Sequence, residues 1–589
     1  MQQPLEFYKK QKTLVEQELV QLKKKLTISS STRLLTFLGT IFCVYLSFGN
    51  TLFMILSVVI GIALFVFLIF KHEKLVYKSN FAKAVIHINE TELKVLNRDY
   101  LGLDDGSEFI DPKHPYSYDI DLFGRGSFFQ YCNRTVTVEG KNKLFLELTS
   151  NAINAIQEKQ EGIKELSEQP IWRQQFSAIA SLVKVQHSAK NIVQWIHNYT
   201  IAFPKFLGYL PKLVSLISVA LILLVAFQLL PEVLLLFWLF IGLGISGFYL
   251  KQINELYTNA CNAKDTFKQY HKLLNEIETT SFSSELLKRK QQEIKTDSLK
   301  ASLIFKKYSK LLDALDQRNN VIIAVFGNGL FLRDIQIAIK IEQWIETYKY
   351  NVEQWFQVIA FFDAQNSLAN FQFNHPAYVF PKITQNREVI KAQDLGHTLL
   401  KEKQRVDNNF TIENQQFFII TGANMAGKST FLRTVSLSIV MANMGLSVCA
   451  ESFEYNPIKL ITSMRTTDSL ADDESYFFSE LKRLKFIVDE IKTDNYFIIL
   501  DEILKGTNST DKAIGSKKFV QKLVASNSTG IIATHDLSLC EIEEELPQIK
   551  NYYFDAEILN NELNFDYQLK NGVCKNMNAS FLLKKMDIV

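Results

Sequence analysis

Thr421-Gly422-Ala423-Asn424-Met425-Ala426-Gly427-Lys428-Ser429-Thr430 decides how the rest of the chain is read. It follows the β-rich apolar run Phe417-Phe418-Ile419-Ile420. It precedes Phe431-Leu432-Arg433-Thr434-Val435-Ser436-Leu437, which has helical spacing. Strand, glycine turn and helix in that order is the context a phosphate-binding loop requires. The backbone N–H groups of such a loop and the helix N-terminus face the phosphates, where the helix dipole favours negative charge. Lys428 can reach the β- and γ-phosphates, and the Ser429 hydroxyl can ligate Mg²⁺. The expected ligands are therefore ATP and Mg²⁺, cradled by Gly422, Ala423, Asn424, Met425, Ala426, Gly427, Lys428, Ser429 and Thr430.

Two more apolar runs end in polar groups. Tyr496-Phe497-Ile498-Ile499-Leu500 leads into Asp501-Glu502. At such a strand end Asp501 can hold Mg²⁺, directly or through water, and Glu502 can orient the attacking water. Ile531-Ile532-Ala533-Thr534 leads into His535-Asp536, where His535 could sense the γ-phosphate. Lys428, Glu502 and His535 are the catalytic candidates; Ser429 and Asp501 are the metal candidates.

The chain has 589 residues, which predicts several domains. Lys+Arg 65 against Asp+Glu 62 argues against a strongly basic nucleic-acid binder, although a local basic patch stays open. The six cysteines lack metal-ligand spacing and read as reduced thiols in a cytosolic compartment. A mean hydropathy of +0.01 is high for a soluble ATPase, so apolar content must be concentrated somewhere.

It is concentrated in two places. Leu34 to Phe70 holds no charged residue, and Gly49-Asn50 is a turn signal near its middle. This predicts a hairpin of a shorter helix, 34–48, and a longer one, 51–70, after a basic helix over 1–32. A spanning helix needs about 20 apolar residues. A cleaved signal peptide is not expected, because the apolar run starts late and runs long. Leu213–Leu230 and Val233–Leu250 form a second uncharged pair around Pro231-Glu232. Lysines flank both pairs and neither turn carries a basic residue, so the positive-inside rule puts both termini and the ATPase in the cytoplasm. The chain is thus expected to be a multi-pass membrane protein with four spans and lipid as a partner.

Residues 71–212 read as a cytoplasmic segment that opens extended, as at Ala84-Val85-Ile86-His87-Ile88-Asn89, and turns helical from about 148. Asp119 and Asp121 near His114 read as solvated carboxylates on a surface turn, without a full metal-ligand set. Residues 251–370 read as long charged helices whose aromatic stripe is packing surface, and 371–410, with Pro376 and Pro381, as a polar entry to the ATPase.

The phosphate loop, Asp501-Glu502 with Gly506-Thr507, and Ala533-Thr534-His535 together resemble the ATPase of the MutS mismatch-repair family, which is similar in fold to the ABC ATPases. Ser475-Tyr476-Phe477-Phe478-Ser479-Glu480-Leu481 resembles that family's signature helix. The resemblance implies that Ser475 contacts the γ-phosphate held by the opposite subunit, hence a homodimer with composite ATP sites. Leu563–Leu569 with Gly572 resembles the closing hairpin, and Gly396-His397 with Val406-Asp407-Asn408 resembles the approach to the ATPase. Asp363–Ala369 resembles the last core helix. The likeness is strong over 390–589 and weakens upstream. Leu504 and Lys505 stand where the family usually has glycine and arginine, and Ala426 where it often has glycine. No mismatch-reading domain with a Phe-x-Glu wedge is legible; Phe145-Leu146-Glu147 reads as chance.

The expected fold is therefore an α/β P-loop NTPase domain of ABC/MutS type over 390–589. It follows a mostly α-helical core and lever region, 71–212 and 251–389, with transmembrane hairpins at 33–70 and 213–250. The resemblance implies two levers ending in a DNA clamp, and the second hairpin falls where the clamp would be. DNA as a partner, another cytoplasmic partner, a membrane-tethered mismatch sensor, an ABC-type transport ATPase and a non-hydrolysing scaffold remain alternatives at this stage.

Overall fold

The computed structural model describes residues 2–183, 189–296, 299–465, 476–505, 508–559 and 562–574. Its first elements are two very long helices, α1 (Gln2–Leu46) and α2 (Thr51–Leu96). The Asn50 side chain caps α2 by accepting from the Phe53 amide at 3.3 Å, which fixes the turn between them. The pair is antiparallel: Lys12 Nζ meets Glu90 Oε1 at 2.8 Å, His72 Nδ1 meets Ser29 Oγ at 3.2 Å, and Gly61 abuts Thr40. The basic helix over 1–32 and the apolar helix over 34–48 are thus one helix. Ala84–Asn89 is helical, not extended, because α2 runs 26 residues past the apolar stretch, on Ser79, Ala82, Val85, Asn89 and Glu92, which are buried. The apolar part stands clear of the protein; Phe48 is 87% exposed and Leu52 75%.

Helicity then begins well before residue 148, in α3 (Phe128–Cys132) and α4 (Val138–Thr149). Thr137 caps α4 by accepting from the Gly140 amide at 2.9 Å. After α5 (Ile156–Ser167), α6 (Pro170–Ser181) and α7 (Ala189–Asn198) come two apolar helices, α8 (Leu210–Ala226) and α9 (Glu232–Phe248). The long α10 (Leu250–Thr279) follows after a 63° bend, then α11 (Glu285–Gln292) and α12 (Ala301–Asp316).

One apolar element was not foreseen. α13 (Val321–Phe331) is an eleven-residue apolar helix, and α14 (Arg333–Asn374) leaves it at 82° through Leu332, whose φ is +47°. At eleven residues, within a segment read as charged helices, it is too short to register as a span. α13 packs against α9 at a backbone contact: a Cβ on Gly242 would lie 2.0 Å from the Gly329 carbonyl oxygen. Close glycine crossings are a means of joining helices where no hydrophobic driving force is available. Ser218 on α8 donates to the Leu330 carbonyl at 2.5 Å and accepts from Trp238 Nε1 at 2.7 Å, which ties the three helices together. Gly242→Ala is expected to lower the unfolding midpoint in detergent by an overpacking cost of about 1–3 kcal/mol. Gly244→Ala, which meets open space, should leave the midpoint unchanged or raise it; equal behaviour of the two variants would remove the crossing from the account.

Among the described residues, three helices are long and apolar enough to cross a membrane: α1, α2 and Phe206–Ala226. The count reaches five only if the bent pairs α9/α10 and α13/α14 are each taken as one span.

The carboxy-terminal part is built on two sheets. β1 (Lys382–Ile383), β2 (Glu388–Leu395), β3 (Asn408–Glu413) and, later in the chain, Ser452–Tyr455 form a four-stranded sheet. The expected boundary at 390 therefore falls inside a strand. β4 (Phe417–Gly422) leads to α15 (Lys428–Asn443), after which that last strand of the first sheet is β5. β6 (Lys459–Ser463), α16 (Tyr476–Glu490), β7 (Tyr496–Asp501), α17 (Ser509–Val524), β8 (Thr529–Ala533), α18 (Ile542–Glu545) and β9 (Ile549–Phe554) follow. β10 (Glu557–Leu559) and β11 (Glu562–Asn564) form a hairpin, and β12 (Leu569–Asn571) is antiparallel to β9.

The second sheet has the order β12-β9-β4-β8-β7-β6, parallel except for β12. Alternate residues of its strands enter opposite cores. Phe418, Ile420, Phe497 and Ile499 face one; Phe417, Ile419, Ile498 and Leu500 face the other. A parallel sheet buried on both faces reads as an unbroken apolar run, as these strands do. The first of these cores continues into residues 95–163, whereas α6, α7, α10, α12 and most of α14 share a separate helical core. The expected unit 71–212 is thus divided between a helical stalk and two cores.

Of the two carboxylates read as solvated, Asp121 is partly exposed and Asp119 is buried. Asp119 is 4% exposed and accepts from Thr462 Oγ1 at 2.6 Å and the Arg465 amide at 3.0 Å. Asp121 pairs with Arg465 at 2.5 Å and Arg433 at 3.3 Å. Both hold the upstream segment to the sheet domain. Among the described residues no group of three or more His, Cys, Asp and Glu side chains converges as a metal-ligand set.

Candidate functional site

β4 ends at Gly422, where the backbone passes too close to its neighbour for a side chain: a Cβ there would meet the Phe554 carbonyl oxygen at 2.6 Å. Gly427 then takes φ +108° and starts α15. Between them the loop folds over the Lys428 side chain, whose Nζ donates to the carbonyls of Gly422 at 2.8 Å and Ala423 at 3.0 Å. Burial pushes the Lys428 ammonium below its usual pKa, against the pull of Asp501 and Glu502.

The ends of three adjacent parallel strands bring the other candidates to the same place. Ser429 Oγ donates to Asp501 Oδ2 at 2.7 Å. Glu502 takes φ +54°, its amide donating to the Ala533 carbonyl at 2.9 Å. That left-handed turn directs its carboxylate to His535, whose Nε2 lies 3.0 Å from Glu502 Oε1 and 3.3 Å from Lys428 Nζ. One nitrogen cannot both donate to a carboxylate and accept from an ammonium. With Lys428 already held by two carbonyls, the network assigns the Nε2 proton to the contact with Glu502. Hydrogen bonding from His535, opposed by burial and helped by Lys505, holds the Glu502 carboxyl at a pKa of about 2.

These groups line a cavity of about 600 Å³, within the size range of small-ligand sites. Asn424, Met425, Gly427, Lys428, Ser429 and Thr430 form its floor; Asp501, Glu502 and His535 form one side. Gly422, Ala423 and Ala426 lie beneath and are buried. Lys428, the loop amides and the start of α15 could hold a phosphate chain, and Ser429 with Asp501 could hold a divalent cation. Ser475, Gly506 and Thr507 lie outside the described residues.

Residues 418–584 match the family model of MutS domain V. The carboxy-terminal part of the chain is a MutS-family domain V. Human MutS protein homolog 4 is 31% identical over 213 residues, 34% of this chain and 22% of that protein. The DNA mismatch repair protein MutS of Staphylococcus haemolyticus (strain JCSC1435) is 26% identical over 270 residues, 44% of this chain and 30% of its own. That of Macrococcus caseolyticus (strain JCSC5402) is 28% identical over 272 residues, 44% and 31%. The chain thus spans about a third or less of the length of these relatives.

Its departures from the MutS-family pattern have a structural meaning. Leu504, where glycine is usual, holds a left-handed backbone at φ +57°, the conformation glycine adopts without strain. Lys505 places its ammonium 3.7 Å from Glu502 Oε2, and its amide donates to Glu480 Oε2 at 3.0 Å. Sequence reasoning gave Glu480 no role; 3% exposed on α16, it anchors the turn that follows Glu502. The far wall was also missed. His397, Val406, Asn408 and Tyr567 line it. Asn408 fixes the closing segment by donating to the Tyr567 carbonyl at 3.1 Å and accepting from the Leu569 amide at 2.7 Å. Burial, with Arg433 nearby, pushes the His397 pKa down to about 4, so it stands neutral at pH 7. The signal was present in Gly396-His397 and Val406-Asp407-Asn408, but nothing in their spacing points to a cavity wall.

Proposed function

We propose that this chain binds and hydrolyses ATP at the cavity over Lys428, as an ATPase anchored in a lipid bilayer. The carrying observation is the continuous set of contacts among Lys428, His535 and Glu502 beside the Ser429–Asp501 pair. Lys428 offers its charge to the outer phosphates once its loop contacts yield. Glu502, ionised, accepts a proton from the attacking water. His535 orients that carboxylate and sits where it can register whether a γ-phosphoryl group is present. Mg²⁺ bound by Ser429 and Asp501 would neutralise charge developing on the phosphoryl oxygens. The fit of the residues supports this: a glycine-walled loop no side chain obstructs, a cation beneath it and an acidic strand end opposite. ATP turnover by the purified protein, measured with and without homoduplex and mismatched DNA, tests the reading; absence of turnover under every condition would overturn it.

A homodimer is proposed from the resemblance alone, with Ser475 completing the partner's site. The bilayer is proposed as the surroundings of α1/α2 and α8/α9. It is supported by their uncharged runs, the exposure of their apolar side chains and, for α1, α2 and α8 with the turn before it, their length. α8/α9 then stands where family resemblance places a DNA clamp, so that ATP-driven closure moves membrane helices. Cysteine labels scanned through 213–250 should report lipid on one face or more; water on all faces would end this part.

A role near DNA is the second reading. It is favoured by relatives whose names state DNA mismatch repair. A stimulation of turnover by mismatched over matched duplex, lost steeply with salt, is its expected signature.

A further inference from the structure

A second, smaller cavity is lined by residues far in sequence from those of the nucleotide cavity. It is about 100 Å³, where α2, α6, α14 and the turn before α4 meet, and Thr91, Glu92, Arg134, Arg173 and Asn366 are among the residues that line it. At about 30 Å³ per water, it has room for roughly three waters or one tetrahedral oxyanion.

Its lining is electrostatically incomplete. Arg173 is 4% exposed. Its Nε donates to the Leu166 carbonyl at 2.9 Å and one Nη to Asn370 Oδ1 at 2.7 Å; the Tyr8 hydroxyl lies nearby. All three are neutral oxygens. Among the described residues no carboxylate lies within ion-pair distance of Arg173, and its second Nη has no hydrogen-bond partner. Arg134 is paired through Nε with Glu92 at 2.5 Å, but its own outer Nη is also unpartnered. Asn366, 4% exposed, has neither amide atom engaged. Thus donors from three separate segments border one small space, and two guanidinium groups share one carboxylate, Glu92, which pairs directly only with Arg134. A buried charge left unpaired is among the costliest arrangements in a folded protein, and two guanidinium edges are suited to a tetrahedral oxyanion.

We propose that this cavity is a binding site for a small tetrahedral oxyanion such as inorganic phosphate, held by Arg173, Arg134 and the Asn366 amide. The site sits where the α1/α2 stalk meets α14. Glu92 joins them directly, accepting from Arg134 and from Asn374 Nδ2 at 2.7 Å, and Tyr8 donates to Asn374 at 2.8 Å. A bound anion would lock the stalk to the end of α14 nearest the sheet domain.

The proposal does not depend on the nucleotide reading, and its test keeps the two apart. In a Lys428→Ala chain, which lacks the loop cation, inorganic phosphate or sulfate at about 10 mM should raise the unfolding midpoint saturably by about 2 °C or more. Chloride at matched ionic strength should not. Asn370→Asp places a carboxylate against Arg173 in the position of the present 2.7 Å contact. It should raise the midpoint without phosphate and abolish the phosphate response. Arg173→Gln should abolish the response as well. A Lys428→Ala chain that phosphate does not shift, or an Asn370→Asp chain that still responds fully, would overturn the site.

Discussion

Glu502→Gln is expected to bind ATP within about threefold of the unaltered chain and to turn it over at least about 100-fold more slowly, the range general-base catalysis supplies. The substitution keeps size and hydrogen-bonding reach, so His535 can still donate to the side-chain oxygen it now meets at 3.0 Å. The left-handed backbone at Glu502, held by the Ala533 carbonyl, needs no change either. What is lost is the charge that takes a proton from water. Its effect should therefore appear in single-turnover rates and not in nucleotide affinity, and turnover within twofold of the parent would remove Glu502 from the proposed mechanism. The pH behaviour follows with its sign. A carboxyl whose folded pKa, about 2, lies below its unfolded value contributes stability above the unfolded pKa and loses it as pH falls toward 2. Glu502 is then ionised throughout the range in which the protein would be assayed. Any fall in rate between pH 8 and pH 5 should survive unchanged in a Glu502→Asp chain, because this group is not what titrates there.

Lys428→Ala should instead abolish binding. The ammonium holds two loop carbonyls and faces two carboxylates. When those carbonyls yield to the outer phosphates, losing two charge-assisted contacts to phosphate oxygens of about 1.5–3 kcal/mol each predicts a fall in ATP affinity of about 100-fold or more. Lys428→Arg should not rescue it. The lysine is 5% exposed beneath the loop, and a planar guanidinium cannot place its donors as a compact ammonium does. Equilibrium binding of a fluorescent ATP analogue measures this; near-normal affinity in the alanine variant would mean that phosphate is held elsewhere.

Much of the site was legible because its signals are local. Gly422 and Gly427 bracket a turn, Lys428 follows at fixed spacing, and Phe497 to Leu500 can only be a strand buried on both faces. Legibility failed where contact depends on distant segments. Ala84–Asn89 has strand-like composition, yet it is helical, with Val85 and Asn89 buried and Asn89 bonded to Gln174 on α6. Asp119 looked solvated because its partners, Thr462 and Arg465, lie more than three hundred residues away. Asn408 and Tyr567 form one wall for the same reason. α13 was missed because eleven apolar residues are unremarkable until Gly329 is seen against Gly242.

α14 contains neither glycine nor proline across 42 residues, and at 1.5 Å per residue it is a rod of about 63 Å. Such a helix offers no internal site at which to kink. Any strain delivered at Asn374 must therefore emerge at Arg333, and a tilt of about 5° would sweep the far end through roughly 5 Å. All the give is confined to two pivots, the left-handed Leu332 and the His375 cap. Stiffening either of them should jam the transmission while leaving both of its terminals intact.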